Sequence, residues 1–360
     1  MAQKLRVGII GTGFGEQVQL PGFLGLKDIE VIGIASSDPK RSEELKKKHK
    51  LPQSFKTPEE LIESDDIDLI SVATAPVDHE KYVRAALQTG KHVMCEKPFT
   101  MSSSAAKALL KEANTGGIIH ATDFEFREMS ALKFLVSRMM EGVTGRIVFA
   151  ELRWLVGTWA DPKRPWQWQC DRAQGGGILT ALGVHLYNIA ESMLGTLDKV
   201  MAETGTTITE RKDEEGETRP VTSEDHATID LKGKYGIPVR IVLSNVDPKG
   251  TGFSITIRGE KGVLLLESES QTYGSGLRIH EGATPDSAKV VYEDPVPASK
   301  IDPRIPLFQS LVLRLITAIR EDDRTFTPSF QDGVRSQMFL EAVRASVETE
   351  GWADIGKSAQ

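Results

Sequence analysis

The sequence predicts an α/β protein in two parts. A doubly wound parallel sheet spans residues 1–122, and an α+β domain with a large, mainly antiparallel open sheet spans residues 123–360. Three observations carry this expectation. The first third alternates short apolar runs with helical patterns, the rhythm of repeated βα units. The first of those runs ends in a glycine-rich turn. Beyond residue 123, strands follow one another without intervening helices and alternate apolar with polar residues, as in an antiparallel sheet with one covered face. A chain of 360 residues also suits two domains of the usual ~100–200 residues. The closing helices are left free to pack back on the first domain.

In the first part, strands are expected at residues 5–10, 30–35, 69–73, 92–95 and 118–122. Thr57-Pro58-Glu59-Glu60 combines an N-cap, Pro at the first helical position and a capping-box glutamate. Gly90 ends the helix that carries Tyr82, Ala85, Ala86 and Leu87. In the second part, a helix over 130–140 precedes a strand near 147–156, and a loop rich in Trp, Pro and Gly leads to a helix over 178–194. Strands follow at 228–231, 239–245, 253–258 and 263–266, the last reached through the turn Arg258-Gly259-Glu260-Lys261-Gly262. The acidic stretch 212–217 reads as a loop tip, and helices over 307–320 and 331–349 close the chain.

The composition, 39% hydrophobic and 26% charged, is that of an ordinary globular protein able to bury a core without disulfides. A net charge of −7 argues against general affinity for nucleic acid or an anionic membrane. Lys46, Lys47, Lys48 and Lys50 form a basic run, but helical spacing spreads them around a solvated face. Cys95 and Cys170, the two cysteines, lack the paired spacing of zinc or redox motifs. They read as reduced thiols of a cytoplasmic protein, and no metal is expected. Met1–Arg6 runs directly into an apolar strand, and no stretch approaches the ~20 apolar residues of a membrane helix.

The opening run continues into Gly11-Thr12-Gly13-Phe14-Gly15-Glu16. Glycines between a strand and a helix let backbone N–H groups and the helix N-terminus approach a pyrophosphate, which predicts a dinucleotide site. The third glycine of the usual fingerprint would fall at Glu16; Gly15 lies one residue early. An NAD site usually places an acid near the end of the second strand to hold the ribose. Asp38 competes for that role, but Asp before Pro39 also reads as an N-cap. Ser36, Ser37 and Arg41 offer the donors and positive charge that a 2′-phosphate needs. NADP is therefore expected over NAD.

Two further stretches carry a resemblance. Ala86-Leu87-Gln88-Thr89-Gly90-Lys91-His92-Val93-Met94-Cys95-Glu96-Lys97-Pro98 is one; Trp166-x-Trp168, Gly175-Gly176-Gly177-x-Leu179 and Gly183-x-His185 form the other. With the glycine turn they resemble the glucose–fructose oxidoreductase/inositol dehydrogenase family over roughly the first 195 residues. The resemblance implies a Rossmann domain and NAD(P)-dependent hydride transfer at a hydroxyl or carbonyl of a small, sugar-like or cyclitol substrate. Lys97 then serves as general acid/base, with His185 assisting at the reacting oxygen. A lysine in a partly desolvated cleft suits that task on chemical grounds as well. Glu96 orients Lys97 or the cofactor, and Ala73, Thr74, Ala75 and His79 join the cofactor set.

For the substrate, Arg127 and Arg172 offer forks for a carboxylate, and Trp166 and Trp168 offer faces for a sugar ring. Trp154, inside a strand, reads as core. The resemblance also implies homodimers or homotetramers, and the second sheet is expected to present a broad apolar face for that contact. One departure stands out. Many relatives carry an Asp one helical turn before the histidine and another three residues after it, where this chain has Ala181 and Asn188. This incomplete trio leaves two alternatives open: a non-catalytic dinucleotide-binding sensor, or a reductase or dihydrodiol-type dehydrogenase of another substrate class.

Overall fold

The computed structural model describes residues 3–233, 235–268, 276–295 and 301–356. Two compact units divide the chain: Met1–Glu125 with Arg304–Gln337, and Phe126–Pro303 with Met338–Gln360.

The first unit holds β1 (Leu5–Ile10), α1 (Leu20–Leu24), β2 (Ile29–Ala35), α2 (Pro39–His49), α3 (Pro58–Glu63), β3 (Leu69–Val72), α4 (Pro76–Gln88), β4 (His92–Cys95), α5 (Ser103–Thr115) and β5 (His120–Thr122). The strands pair in parallel in the order β2-β1-β3-β4-β5. Near-continuous apolar runs such as Val7-x-Ile9-Ile10 are sealed from solvent, as required of strands covered on both faces. The helix Arg304–Glu321 belongs to this unit. Its buried Phe308 meets Phe23 edge-on at 4.9 Å, and Leu311 and Leu315 extend the same core.

Local signals explain the helix ends. Asp38 caps α2 by accepting the Lys40 N–H at 2.9 Å. Thr57 accepts the Glu60 N–H at 3.1 Å, but the Glu60 carboxylate reaches the Lys56 N–H at 2.8 Å rather than that of Thr57. The capping box thus closes one residue farther out than its sequence suggests. Gly90, at φ +74°, follows the end of α4.

The second unit holds α6 (Ser130–Met140), β6 (Ile147–Leu155), α7 (Val184–Leu194), β7 (Leu197–Gly205), β8 (Glu210–Lys212), β9 (Thr218–Pro220), β10 (His226–Gly233), β11 (Pro238–Ser244), β12 (Gly252–Gly259), β13 (Val263–Ser268), β14 (Leu277–Gly282), β15 (Lys289–Glu293) and β16 (Ala353–Asp354). Among the described residues, its large sheet runs β15-β14-β13-β12-β6-β11-β10-β7-β16. It is mixed: β6 and β11 are parallel, and the other pairings are antiparallel. Trp154, Phe126 and Phe253 form an aromatic centre at 4.9 and 5.1 Å, so Trp154 is core as expected.

Strand alternation buries Ala227, Ile229 and Leu231 while their neighbours face outward. The open face carries Asp230, Arg240 and Glu151 on paired strands, with an Arg240–Asp230 ion pair at 2.8 Å. Met201, Val242 and Leu265 share the outward positions, so the expected broad apolar face is corrected to a mixed one. Alternation sends every second side chain outward, and those positions hold both polar and apolar residues. No helix among the described residues is long and apolar enough to cross a membrane.

Candidate active site

The glycine turn lies between β1 and a five-residue π-helical turn, Gly15–Gln19, that runs on into α1. Gly11 has φ +113°, and a Cβ there would stand 2.3 Å from the Ala73 carbonyl oxygen. That close approach brings the ends of β1 and β3 together. At Gly13 a Cβ would meet nothing within 4 Å, which leaves the backbone open to a pyrophosphate. The residues present fit a dinucleotide. Thr12, Phe14, Thr74 and Ala75 are partly exposed around the turn, whereas Gly15 and Ala73 are buried.

At the end of β2, the Ser36 hydroxyl accepts the Asp38 N–H at 3.1 Å, and Ser37 is exposed. Arg41 pairs with Glu44 at 3.3 Å and with Glu16; Lys48 reaches Glu16 at 2.8 Å. The residue standing where the fingerprint's third glycine would fall is thus an acid clamped by two bases from α2. Burial pushes the Glu16 carboxyl up, but its bonds to Lys48 and Arg41 prevail and hold it below the usual carboxylate value.

His79 departs from the expectation that it lines the cofactor. It has no exposed surface, and its two ring nitrogens face carbonyl oxygens, Nδ1 that of Pro98 at 3.0 Å and Nε2 that of Thr74 at 3.1 Å. The ring fastens the backbone after β3 to the backbone after β4, and it reaches a ligand only through what it fixes. Lys91 of the Gly-Lys-His-Val stretch is likewise structural, bound to the carbonyls of Ser64 and Ile67 at 2.8 and 3.1 Å.

Lys97 follows β4 at the carboxyl end of the sheet, where open α/β sheets bind ligands. Its peptide bond to Pro98 is cis, and its backbone N–H donates to the Glu96 carboxylate at 3.3 Å. Burial lowers the proton affinity of the Lys97 amine, opposed by Glu96, Glu125 and Asp123 and reinforced by Arg304. Glu96 is 7% exposed, Asp123 0% and Glu125 2%, so an acidic group of unusual burial surrounds this lysine. Gln19 Nε2 donates to Glu96 at 3.0 Å and to Asp123 at 3.2 Å, and its carbonyl accepts the Ser71 hydroxyl at 2.8 Å. The Arg304 guanidinium lies 5.1 Å from the ring centre of Phe14 in the glycine turn.

Gln19, Asp123, Glu125 and Arg304 were not anticipated. The first three carried a usable signal, because they sit beside the glycine turn or just past β5, at the ligand-binding end of the sheet. Arg304 is nearly 300 residues from the turn it joins and carried none.

In the second unit His185 is the second residue of α7, is 2% exposed, and meets Phe126 edge-on at 4.6 Å. Gly177 has φ +113°, and a Cβ there would fall 2.2 Å from Glu224 Oε1. Glu224 uses that space to accept the Leu179 N–H at 3.2 Å, at the start of the π-helical turn Leu179–Gly183 that runs on into α7. Arg172, exposed, approaches the other Glu224 oxygen at 4.0 Å. Arg127 is partly exposed just before α6.

Trp166 donates its indole N–H to the Pro220 carbonyl at 3.0 Å, with Arg219 over its ring. This ties it to the β8–β9 hairpin rather than leaving it open for a sugar. Trp168 sits partly buried in a short 3-10 turn. A cavity of about 60 Å³ within this unit is lined by Trp159, Ala181, Arg211, Glu224 and Asn245, among others, and by neither Trp166 nor Trp168. Cys95 and Cys170 are both buried free thiols.

Two family descriptions match the chain. The oxidoreductase family with an NAD-binding Rossmann fold matches residues 5–124, and its C-terminal alpha/beta domain matches residues 137–355. An uncharacterised oxidoreductase of Synechocystis sp. is 30% identical over 358 residues, 98% of this chain and 96% of the relative. Levoglucosan dehydrogenase of Pseudarthrobacter phenanthrenivorans is 23% identical over 393 residues, covering 98% of each. A solved structure of levoglucosan dehydrogenase in complex with NADH and L-sorbose has a TM-score of 0.88 at 22% identity, over 99% of this chain and 100% of that one.

Proposed function

Because this chain belongs to the glucose–fructose oxidoreductase/inositol dehydrogenase family, with its NAD-binding Rossmann fold, we propose that it transfers hydride between a nicotinamide and a hydroxyl or carbonyl of a small sugar-like or cyclitol substrate. The observation that carries this reading is Lys97. It is an amine made easier to deprotonate by burial, placed after β4 in the same unit as the open glycine turn. When bound, the nicotinamide supplies the acceptor for the hydride and its electron pair. Lys97 holds the proton that the hydroxyl gives up in oxidation and returns it in reduction. His185 assists at the reacting oxygen. Gly11, Gly13 and Gly15 with their neighbours hold the pyrophosphate, and Glu96 fixes the backbone of Lys97.

NADP(H) is the preferred coenzyme in this reading. Asp38 is engaged as the cap of α2, and Ser36, Ser37 and Arg41 offer donors and charge to a 2′-phosphate. Glu16 tempers that preference, because it already pairs with Arg41 and Lys48. The protein acts in the cytoplasm as a homodimer or homotetramer, with the open face of the second sheet as the contact. Initial rates with NADP⁺ and NAD⁺ against a panel of aldoses, anhydrosugars and cyclitols test the function. Turnover of at least one class supports it. Tight NADPH binding with no turnover of any would return the reading to a sensor, and no binding of either nucleotide would overturn it.

A further inference from the structure

We propose that Gln19 is a positioning residue, which holds Glu96 in the arrangement that keeps Lys97 in place after β4. This deepens the reading of Lys97 as acid/base and rests on it. The argument begins with what is buried. Gln19, Ser71, Glu96 and Asp123 are each less than a tenth exposed in the first unit. They come from four places: the π-helical turn after the glycine turn, β3, the end of β4 and the end of β5. All four lie toward the carboxyl end of the sheet, where open α/β sheets bind ligands. Burying such a polar cluster is costly unless its members satisfy one another.

They do so through Gln19. Its Nε2 donates to Glu96 Oε1 at 3.0 Å and to Asp123 Oδ2 at 3.2 Å, and its carbonyl accepts the Ser71 hydroxyl at 2.8 Å. Turning the amide over would set its oxygen against two carboxyl oxygens, so the cluster fixes its orientation. Gln19 reaches this place from a widened turn, in which the Leu20 N–H bonds back five residues to the Gly15 carbonyl. Such π-turns occur mostly singly and frequently at functional sites. Backbone bonds fix the acids themselves: the Glu96 N–H donates to the Val72 carbonyl at 2.9 Å and the Asp123 N–H to that of Cys95 at 2.8 Å.

The cluster ends on Lys97. Glu96 gives one carboxylate oxygen to Gln19 and the other to the backbone N–H of Lys97, at 3.3 Å. A continuous chain of hydrogen bonds therefore runs from the turn beside the glycines, through Gln19 and Glu96, to the Lys97 backbone. Glu96 receives these two N–H donors, whereas Asp123 receives the one from Gln19, so the negative charge settles on Glu96. Asp123 keeps a proton: burial, then the charges of Glu96 and Glu125, push its carboxyl well above the usual range. Burial pushes Glu96 up as well, and Asp123, Lys97 and Gln19 oppose it. The Lys97 amine is lowered by burial, supported against that by Glu96, Glu125 and Asp123, and lowered further by Arg304. Gln19 thus helps to keep Glu96 charged, and a charged Glu96 supports the Lys97 ammonium.

The test uses the full chain with Gln19→Met, of similar length but without the amide, beside wild type, Lys97→Met and Lys91→Met. The last is the control for a lost buried bond, since Lys91 is held by the Ser64 and Ile67 carbonyls, outside this cluster. Lysines carry ¹³C at Cε, and the Lys97 signal, assigned by its loss in Lys97→Met, is followed by NMR against pH. Without the Gln19 donor, Glu96 takes up a proton more readily and its charge no longer supports the ammonium. The Lys97 titration point should therefore fall by about one unit, tenfold in proton affinity. The acid limb of the pH profile for substrate oxidation should move down with it. On the plateau above that limb, kcat should fall about tenfold or more, while KM and NADPH affinity stay near those of wild type.

Lys91→Met should unfold at a lower temperature with its Lys97 titration and pH profile in place. A folded Gln19→Met protein whose Lys97 titration point has not moved overturns the proposal, whatever its unfolding temperature, and leaves the acid/base role intact if Lys97→Met is inactive. An equal shift in Lys91→Met overturns it too, because the shift would then report general loosening of the unit. Full activity in Lys97→Met overturns the reading beneath it instead. Should the methionine variant fail to fold, Gln19→Asn, which keeps the amide but withdraws it by one methylene, takes its place with the same readings.

Discussion

Adding one methyl group at Gly11 and, separately, at Gly13 divides the demands of the fold from those of the ligand within a single turn. At Gly11 the new Cβ would stand 2.3 Å from the Ala73 carbonyl oxygen, on a backbone with φ +113°. The backbone conformation alone costs an L-residue of order 1–3 kcal/mol, and forcing a methyl against a neighbouring strand adds roughly 1–3 kcal/mol. Gly11→Ala should therefore lose about 2–6 kcal/mol of stability. At about 2–4 °C per kcal/mol for a large domain, that is a fall in Tm of at least roughly 4 °C.

At Gly13 nothing lies within 4 Å of the new Cβ, so Gly13→Ala should leave stability within about 0.5 kcal/mol. The methyl instead occupies the space through which a pyrophosphate approaches the backbone. Nicotinamide fluorescence titration should then show NADPH binding weakened at least about tenfold, or ~1.4 kcal/mol. Unchanged NADPH affinity in Gly13→Ala would refute the placement of the pyrophosphate. A Gly11→Ala protein as stable as wild type would refute the reading of the close approach.

Further outcomes follow from other groups. Ser36→Asp should turn coenzyme preference towards NADH by repelling a 2′-phosphate, and Glu16→Gln should strengthen NADPH by freeing Arg41; parallel titrations that move neither ratio would contradict the NADP reading. Arg6 binds Asp68 through Nε at 3.1 Å and Nη2 at 2.7 Å, and although burial pushes the Asp68 carboxyl up, the bonds from Arg6 hold it below its usual value. The pair therefore stabilises the fold above pH ~4 and loses that contribution as pH falls through the depressed value. Asp68→Asn should cost about 1 kcal/mol or less at pH 7 and converge with wild type in acid denaturation. Sedimentation at micromolar concentration should find a dimer or tetramer; a lone 39.5 kDa particle would refute the proposed contact.

The parallel sheet and the family were legible because their signals are local. β1, β4 and α6 begin and end at the expected residues, each bracketed by apolar runs and turn or cap chemistry. The late helix starts at Arg304 rather than 307 because Pro306, in its first turn, fits a helix start. Strand alternation reveals the second sheet, but period-2 spacing marks the buried face and does not fix how polar the other face is. At the site, the glycine turn and Lys97 stood out as short motifs. His79 did not resolve, since a histidine in the first turn after Pro76 looks the same whether it meets a ligand or two carbonyls. The pairing of Glu16 with α2, the cap by Glu224 and the approach of Arg304 to Phe14 join residues about 25, 45 and 290 positions apart. Such contacts leave no trace in spacing or periodicity.

Lys97 carries the proposed proton transfer, and a single-substitution comparison tests that role. With any substrate that turns over, Lys97→Met should lower kcat by the ~10²–10⁴ typical of losing a positioned acid or base. Its NADPH affinity and unfolding temperature should stay near those of wild type. A Lys97→Met enzyme that keeps wild-type kcat would contradict the account.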